Sequence, residues 1–154
     1  DVAHEADPTR PVTYVSDKGQ ADSCMDLADV VSLSGIGWRQ SDPDWLTILD
    51  QVRAHVGGAP LLVAEFCVGA LPERAGEDRG RRLVREAVRL LDERADLVGY
   101  YLWQFCDTRV NRSRSPELSH GYDESGLFTE WRDPKSVCEA IRALWRDQTR
   151  ERVT

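Results

Sequence analysis

Hydrophobic and polar positions divide the chain into two kinds of segment. Four short runs are rich in apolar, β-branched and aromatic residues, and this pattern predicts strands over residues 11–16, 29–34, 60–66 and 97–105. The third and fourth runs are apolar nearly throughout, which is typical of parallel strands that are buried on both faces.

Three longer segments place apolar residues at helical spacing. The first of them follows Pro43 and ends before Gly57, which are a start signal and a stop signal for a helix. The apolar positions of the three predicted helices are Trp45, Ile48, Leu49, Val52 and Val56; Leu83, Ala87, Leu90 and Leu91; and Val137, Ile141, Leu144 and Trp145. A shorter helix is predicted over residues 23–28, and the opening residues are typical of the end of a helix.

Strands and helices therefore alternate along the chain, and a polar loop over residues 107–126 precedes the last helix. This alternation predicts an α/β fold with a parallel sheet and helical crossovers. Two architectures fit it: an open, doubly wound sheet, and half of an eight-stranded β/α barrel, whose complete form has about 250 residues. A loop of this length is uncommon unless it is functional, although most of its charged residues also suit a solvated surface.

Composition narrows the classes of partner. The 154 residues are 41% hydrophobic and 31% charged, which suits one compact domain. The net charge of -7 argues against a nucleic-acid partner, because such proteins carry a basic surface. No apolar run approaches the roughly 20 residues of a membrane span, so we expect no membrane partner.

Metal and cofactor sites are not predicted. The four cysteines form no CxxC pair and the three histidines share no ligand spacing, which argues against a metal site. No GxGxxG motif follows a predicted strand, so no dinucleotide cofactor is expected. The serines lack a GxSxG setting, so a serine-hydrolase triad is not supported.

Candidate site residues lie where the predicted strands end, because parallel α/β folds place their sites at the carboxyl ends of strands. Glu65 ends an otherwise apolar strand, so it is either a site residue or a surface carboxylate at the strand's mouth. Trp103, Gln104 and Asp107 combine a ring with polar groups, as a sugar site requires. A core role for Trp103 is the alternative. Trp38 follows the second strand and is placed at the same rim.

Five segments carry a family resemblance when they are read in order. Residues 7–13 (DPTRPVT), 60–66 (PLLVAEF) and 102–107 (LWQFCD) resemble the start of the fifth strand, the seventh strand and the eighth strand of the catalytic barrel of glycoside hydrolase family 2. Residues 126–129 (GLFT) and 132–136 (RDPKS) resemble the closing turn and final helix of that family, which contains β-galactosidases, β-glucuronidases and β-mannosidases. The resemblance implies strands five to eight, half of a TIM barrel.

The resemblance also implies roles. Residues 1–154 are expected to form the carboxyl-terminal half of the catalytic barrel of a longer, retaining glycosidase. Glu65 is the implied nucleophile, and Trp103 is implied to form part of the floor of the sugar site. Trp38, Gln104 and Asp107 are further expected contacts to a carbohydrate substrate. No cofactor is implied.

One catalytic group of the family is expected outside this chain. The family's general acid/base is a Glu in an Asn-Glu pair that ends strand four, and that pair would precede Asp1. A retaining mechanism needs two carboxyl groups about 5–5.5 Å apart, so the chain alone is expected to be inactive. Its expected partner is the missing amino-terminal half-barrel or a second copy of itself, because unpaired edge strands and an open inner face promote association.

Two departures from the family pattern leave alternatives open. Glucuronidases of the family hold the substrate carboxylate with an Asn-x-Lys motif, whereas residues 123–125 (DES) lack the cation, so a uronic acid is not the expected substrate. The tyrosine that follows strand six has no clear counterpart. The alternatives are a non-catalytic, carbohydrate-binding family member and a stand-alone flavodoxin-like α/β domain, although residues 16–20 (SDKGQ) lack a phosphate-binding pattern.

Overall fold

The computed structural model describes residues 2–34, 45–67, 77–111, 113 and 121–151. Its helices are α1 (Val2–Ala6), α2 (Trp45–Val56), α3 (Glu77–Asp92) and α4 (Ser136–Glu151), and its strands are β1 (Thr13–Ser16), β2 (Val30–Leu33), β3 (Leu61–Cys67), β4 (Leu97–Trp103), β5 (Thr108–Arg109) and β6 (Tyr122–Asp123). The chain divides into two compact units: the first comprises residues 1–66 and 94–101, and the second comprises residues 67–93 and 102–154.

A four-stranded parallel sheet follows the strand order β1-β2-β3-β4. Val31 pairs in register with Leu61, and Leu33 pairs with Val63. These four side chains are at most 2% exposed. Because residues two apart on a strand share a face, they form one buried apolar surface of the sheet. The predicted parallel α/β arrangement is therefore confirmed.

Both edge strands of the sheet, β1 and β4, carry exposed apolar side chains. Val15 pairs with Ser32 and so lies on the face opposite Leu33, where its side chain is 52% exposed. On β4, Val98 and Tyr101 are 62% and 66% exposed. Large apolar side chains in such number are normally covered by another surface, which makes this part of the first unit a candidate for further contacts.

An ionic cluster ties α2 to the turn before β4. Arg53 Nε lies 3.2 Å from Asp96 Oδ2, and Arg94 Nη2 lies 2.8 Å from the same oxygen. Arg94 Nη1 also binds Asp50 Oδ1 of α2 at 2.7 Å. The hydrogen bond from Arg94, supported by that from Arg53, lowers the pKa of Asp96 to about 2. The cluster therefore holds a fully ionised carboxylate between two guanidinium groups at neutral pH.

Helices α3 and α4 pack against each other in the second unit. Their buried residues are Val84, Ala87, Val88 and Leu91 on α3, and Val137, Ala140 and Ile141 on α4. The prediction that Leu83 belongs to the buried stripe of α3 is wrong, since Leu83 is 36% exposed. Val84 takes that position because it is spaced three, four and seven residues from the other buried side chains. Within the described ranges, no helix is long and apolar enough to cross a membrane.

Two predicted segments differ from the structure. The short helix expected over residues 23–28 is a single 3₁₀ turn, Met25–Leu27, and a second such turn spans Gly19–Ala21. The loop predicted over residues 107–126 contains the antiparallel pair β5–β6. Its pairing joins positions far apart in sequence, which local hydrophobic periodicity does not report.

Candidate active site

Glu65 lies near the carboxyl end of β3 in the first unit and is half-buried. The next residue, Phe66, is 2% exposed, and its ring packs edge-on against Trp45 of α2 with centroids 5.1 Å apart. Because neighbouring side chains on a strand point to opposite faces, Glu65 points away from that helix. Among the described residues, none forms a hydrogen bond or ion pair with its carboxylate.

Trp103 ends β4, and its half-buried side chain belongs to the second unit. The peptide bond between Trp103 and Gln104 is cis. The Gln104 N–H donates to Ser125 O at 3.0 Å, and the Leu127 N–H donates to Gln104 O at 2.9 Å. The chain that follows β4 is thus paired with residues 125–127, which fixes the backbone immediately after Trp103.

The side chain of Gln104 is also held. Its Nε2 donates to Asp123 Oδ2 at 3.0 Å and to Thr108 Oγ1 at 3.3 Å. Asp123 is 8% exposed, and its Oδ1 accepts the Ser125 N–H at 2.9 Å. The sequence alone assigns Asp123 no site role, because residues 123–125 lack a cation and the charged residues of this loop suit a solvated surface. Its contact with Gln104 spans 19 residues, and no local pattern in the sequence reveals it.

Asp107 is engaged by the protein itself. Its Oδ1 accepts the Gly126 N–H at 2.9 Å and lies 3.2 Å from Lys135 Nζ, which also donates to Glu124 O at 2.7 Å. A Cβ on Gly126 would lie 2.2 Å from the Asp107 nitrogen, so only glycine allows this approach. Asp107 therefore locks the segment after β4, and its predicted contact with sugar stays a prediction.

The predicted site residues fall into three groups. Trp103, Gln104 and Asp107 come together in the second unit, at the end of β4. Glu65 belongs to the first unit, at the end of β3. Trp38 lies outside the described residues. Among residues that the structure describes, no group of three or more His, Cys, Asp and Glu side chains is placed to hold a metal ion.

A curated relative supplies the sequence comparison. The beta-glucuronidase of Rattus norvegicus is 26% identical over 158 residues, which cover 91% of this chain and 24% of that protein. No protein-family profile matches the chain. The chain spans about a quarter of the length of this curated relative.

Solved structures show the same fold. A glycoside hydrolase family 2 beta-galacturonidase from Eisenbergiella tayi, crystallised with galacturonate, matches with a TM-score of 0.80 and 25% identity over 94% of this chain and 28% of its own. The beta-glucuronidase of Faecalibacterium prausnitzii matches with a TM-score of 0.71 and 24% identity over 95% of this chain and 27% of its own.

These matches correspond to part of the α/β barrel of such enzymes. The sequence and structural similarities together make the chain a relative of glycoside hydrolase family 2 that matches a fragment of its longer members.

Proposed function

We propose that the chain forms strands five to eight of the catalytic barrel of a retaining glycoside hydrolase, with Glu65 as its nucleophile. The observation that carries the proposal is the carboxylate of Glu65, which ends a buried parallel strand and has no partner among the described side chains. Partial burial of a carboxylate costs solvation energy unless a partner compensates for it, so a carboxylate kept there without a described partner suggests a functional role. The relatives, which are named as glycosidases, support hydrolysis of O-glycosidic bonds as that task.

In this mechanism, Glu65 attacks the anomeric carbon of a sugar while the bond to the leaving oxygen breaks. A second carboxyl group protonates that oxygen and then takes a proton from water, whose oxygen displaces Glu65 from the glycosyl-enzyme. Glu65 must be ionised while its partner holds a proton, the usual division between two catalytic carboxyl groups. Trp103 offers a ring face to the sugar, and Gln104 offers a polar atom of its side-chain amide.

The second carboxyl group is proposed to come from the other half of the barrel, so that this chain alone does not hydrolyse glycosides. The sheet ends at β1 and β4, and the exposed Val15, Val98 and Tyr101 of these edge strands support a further half of the barrel that pairs with them. Asp107 is given a structural task in this proposal, because Gly126 and Lys135 already occupy one of its oxygens.

Covalent trapping tests the proposal. The reading frame that contains this chain is sequenced upstream of Asp1, and the whole encoded protein is treated with 2,4-dinitrophenyl 2-deoxy-2-fluoro-β-galactoside and the corresponding glucoside and glucuronide. We expect the mass of one fluorosugar on the peptide that contains Glu65. Glu65→Gln removes the label, whereas Glu86→Gln, the same change on the exposed face of α3, leaves it intact.

Two results would contradict this proposal. Labelling of a different carboxylate assigns the nucleophile elsewhere. Sugar binding without any label, measured by calorimetry with the same sugars, favours the non-catalytic, carbohydrate-binding alternative.

A further inference from the structure

The amide group of Gln104 is used unequally by the protein. Its Nε2 has two hydrogens. One is donated to Asp123 Oδ2 at 3.0 Å, and the other to Thr108 Oγ1 at 3.3 Å. Both hydrogens of the amide are therefore committed to the protein, which leaves Oε1 as the remaining polar atom of the side chain.

Asp123 decides which way this amide faces. An ionised carboxylate only accepts hydrogen bonds, so the atom beside Asp123 Oδ2 must be the amide nitrogen. Asp123 is 8% exposed, and its Oδ1 already accepts the Ser125 N–H. Rotating the amide by half a turn would bring Oε1 against Oδ2, and two acceptors facing each other in a largely buried place are unfavourable.

The oxygen of the Gln104 amide, Oε1, is not used by the described residues. Among the described residues, none donates a hydrogen bond to Gln104 Oε1. No described side chain that is at least partly covered keeps a fully buried nitrogen or oxygen without a hydrogen-bond partner. Gln104 Oε1 therefore remains accessible to solvent, one residue after Trp103.

We propose that Gln104 Oε1 is a fixed acceptor for one hydroxyl group of a bound sugar, and that Asp123 is the positioning residue that fixes it. This inference rests on the proposed function, because the ligand is a carbohydrate. The sugar hydroxyl donates a hydrogen bond to Oε1, and no covalent bond forms or breaks. The site thereby demands a hydrogen-bond donor at one position of the sugar, and an ether or fluorine there cannot meet the demand.

The first experiment needs no activity. The whole protein encoded by the reading frame, labelled with ¹⁵N at its glutamine side-chain amides, gives amide signals in a heteronuclear NMR spectrum, and Gln104→Glu assigns the pair that belongs to Gln104. We expect exchange of these two protons with water to become about tenfold faster in Asp123→Asn, since a hydrogen bond to a charged group is lost. Asp133→Asn, the same change at an exposed position of the same unit, leaves the signals unchanged.

A second variant covers the case in which Asp123→Asn does not fold. Thr108→Val removes only the acceptor of the other hydrogen, at an exposed position of β5. One proton of the Gln104 pair is then expected to exchange faster while its twin keeps the wild-type rate. Equal rates for both protons in the wild type and in Thr108→Val would overturn the assigned orientation.

The second experiment identifies the ligand atom. The whole protein encoded by the reading frame is titrated with methyl β-galactoside and methyl β-glucoside, and with analogues in which each hydroxyl in turn is replaced by hydrogen or by fluorine. At one position, both replacements are expected to weaken binding about tenfold, because fluorine accepts but does not donate. In Gln104→Leu, this difference between hydroxyl and fluorine disappears.

The outcomes separate the two proposals. Unchanged Gln104 exchange in Asp123→Asn overturns the positioning role, whatever the protein binds. Altered exchange with no binding of any glycoside contradicts the proposed function and removes the sugar as the ligand of Oε1. If the fluorinated sugars bind as tightly as the parent at every position, Oε1 is not an acceptor for the ligand and the inference is wrong.

Discussion

The carboxylates near the end of β3 and after β4 differ in their hydrogen bonding. At the end of β3, Glu65 is half-buried and no described side chain pairs with it. After β4, Asp107 and Asp123 accept backbone N–H groups and side-chain donors from several positions. A carboxylate that accepts hydrogen bonds from its own protein stabilises the fold. A partly buried carboxylate without such partners is a candidate for a role in catalysis. The comparison predicts which substitutions change activity and which change stability.

The largest effect is expected for Glu65→Gln. In the whole protein, it should lower kcat by roughly 10⁴-fold or more, as removal of a nucleophile does. The free energy of unfolding should stay within about 0.5 kcal/mol of the wild type, because no described partner loses a bond. Steady-state kinetics with an aryl glycoside and urea titration measure the two quantities. A large loss of stability would show that Glu65 belongs with the structural carboxylates.

Gly126→Ala is expected to give the largest loss of stability. The added Cβ would lie 2.2 Å from Asp107 N and 2.3 Å from the carbonyl carbon of Cys106, and backbone atoms yield little. We expect a loss of about 3 kcal/mol in the free energy of unfolding, measured by urea titration. Gly58→Ala is the matched control, since nothing lies within 4 Å of its added Cβ. Equal effects at the two glycines would refute the close approach.

Asp96→Asn should cost about 1 kcal/mol at pH 7, a value reduced for the partial exposure of the cluster. Because the folded pKa of Asp96 is about 2 and its usual value is 3.8, the carboxylate adds stability that is complete above about pH 5. This contribution is lost as the pH falls through 2. The difference in unfolding free energy between wild type and variant should shrink from pH 5 to pH 2. A constant difference would show that Asp96 acts through packing and not through charge.

The smallest effect is expected for Glu130→Gln. Its carboxylate lies 3.2 Å from Arg109 Nε, but the arginine side chain is 69% exposed. Solvent and salt screen such a pair, so the change should stay within about 0.5 kcal/mol in thermal or urea unfolding. A loss comparable with that of Asp96→Asn would mean that exposure is a poor guide to the value of these ion pairs.

Hydrophobic patterning predicted most of the fold because it records local alternation. The stripe containing Leu49 and Val52 identified α2, and both residues are fully buried. The same reasoning failed at Leu83, where several apolar residues crowd one helix and the buried face is set by the helix packed against it. Periodicity also left the choice between an open sheet and a barrel undecided, which the family resemblance addressed.

The site was predictable only in part for the same reason. Glu65 and Trp103 are predicted as site residues because they end apolar strands, and their roles stay predictions. The hydrogen bond between Gln104 and Asp123 depends on the antiparallel pairing of β5 with β6. The spacing of polar residues along the sequence does not show which of them will be in contact. Asp107 is the opposite case. Its position at a strand end indicates ligand binding, but Lys135 and Gly126 donate hydrogen bonds to one of its oxygens.

The antiparallel pair β5–β6 has a consequence for how such a site can diversify. Arg109 pairs with Tyr122, and the Val110 N–H donates to Gly121 O at 3.1 Å, so the two ends of the intervening segment are joined. Lengthening a closed loop costs only about 0.6 kcal/mol for each doubling. A longer segment between positions 111 and 121 would therefore add little to the cost of closing it, while the pairing at its two ends would still join β5 to β6. A change in the length of this segment would leave the hydrogen bonds from Gln104 to Thr108 and Asp123 in place, because those two residues belong to the paired strands β5 and β6.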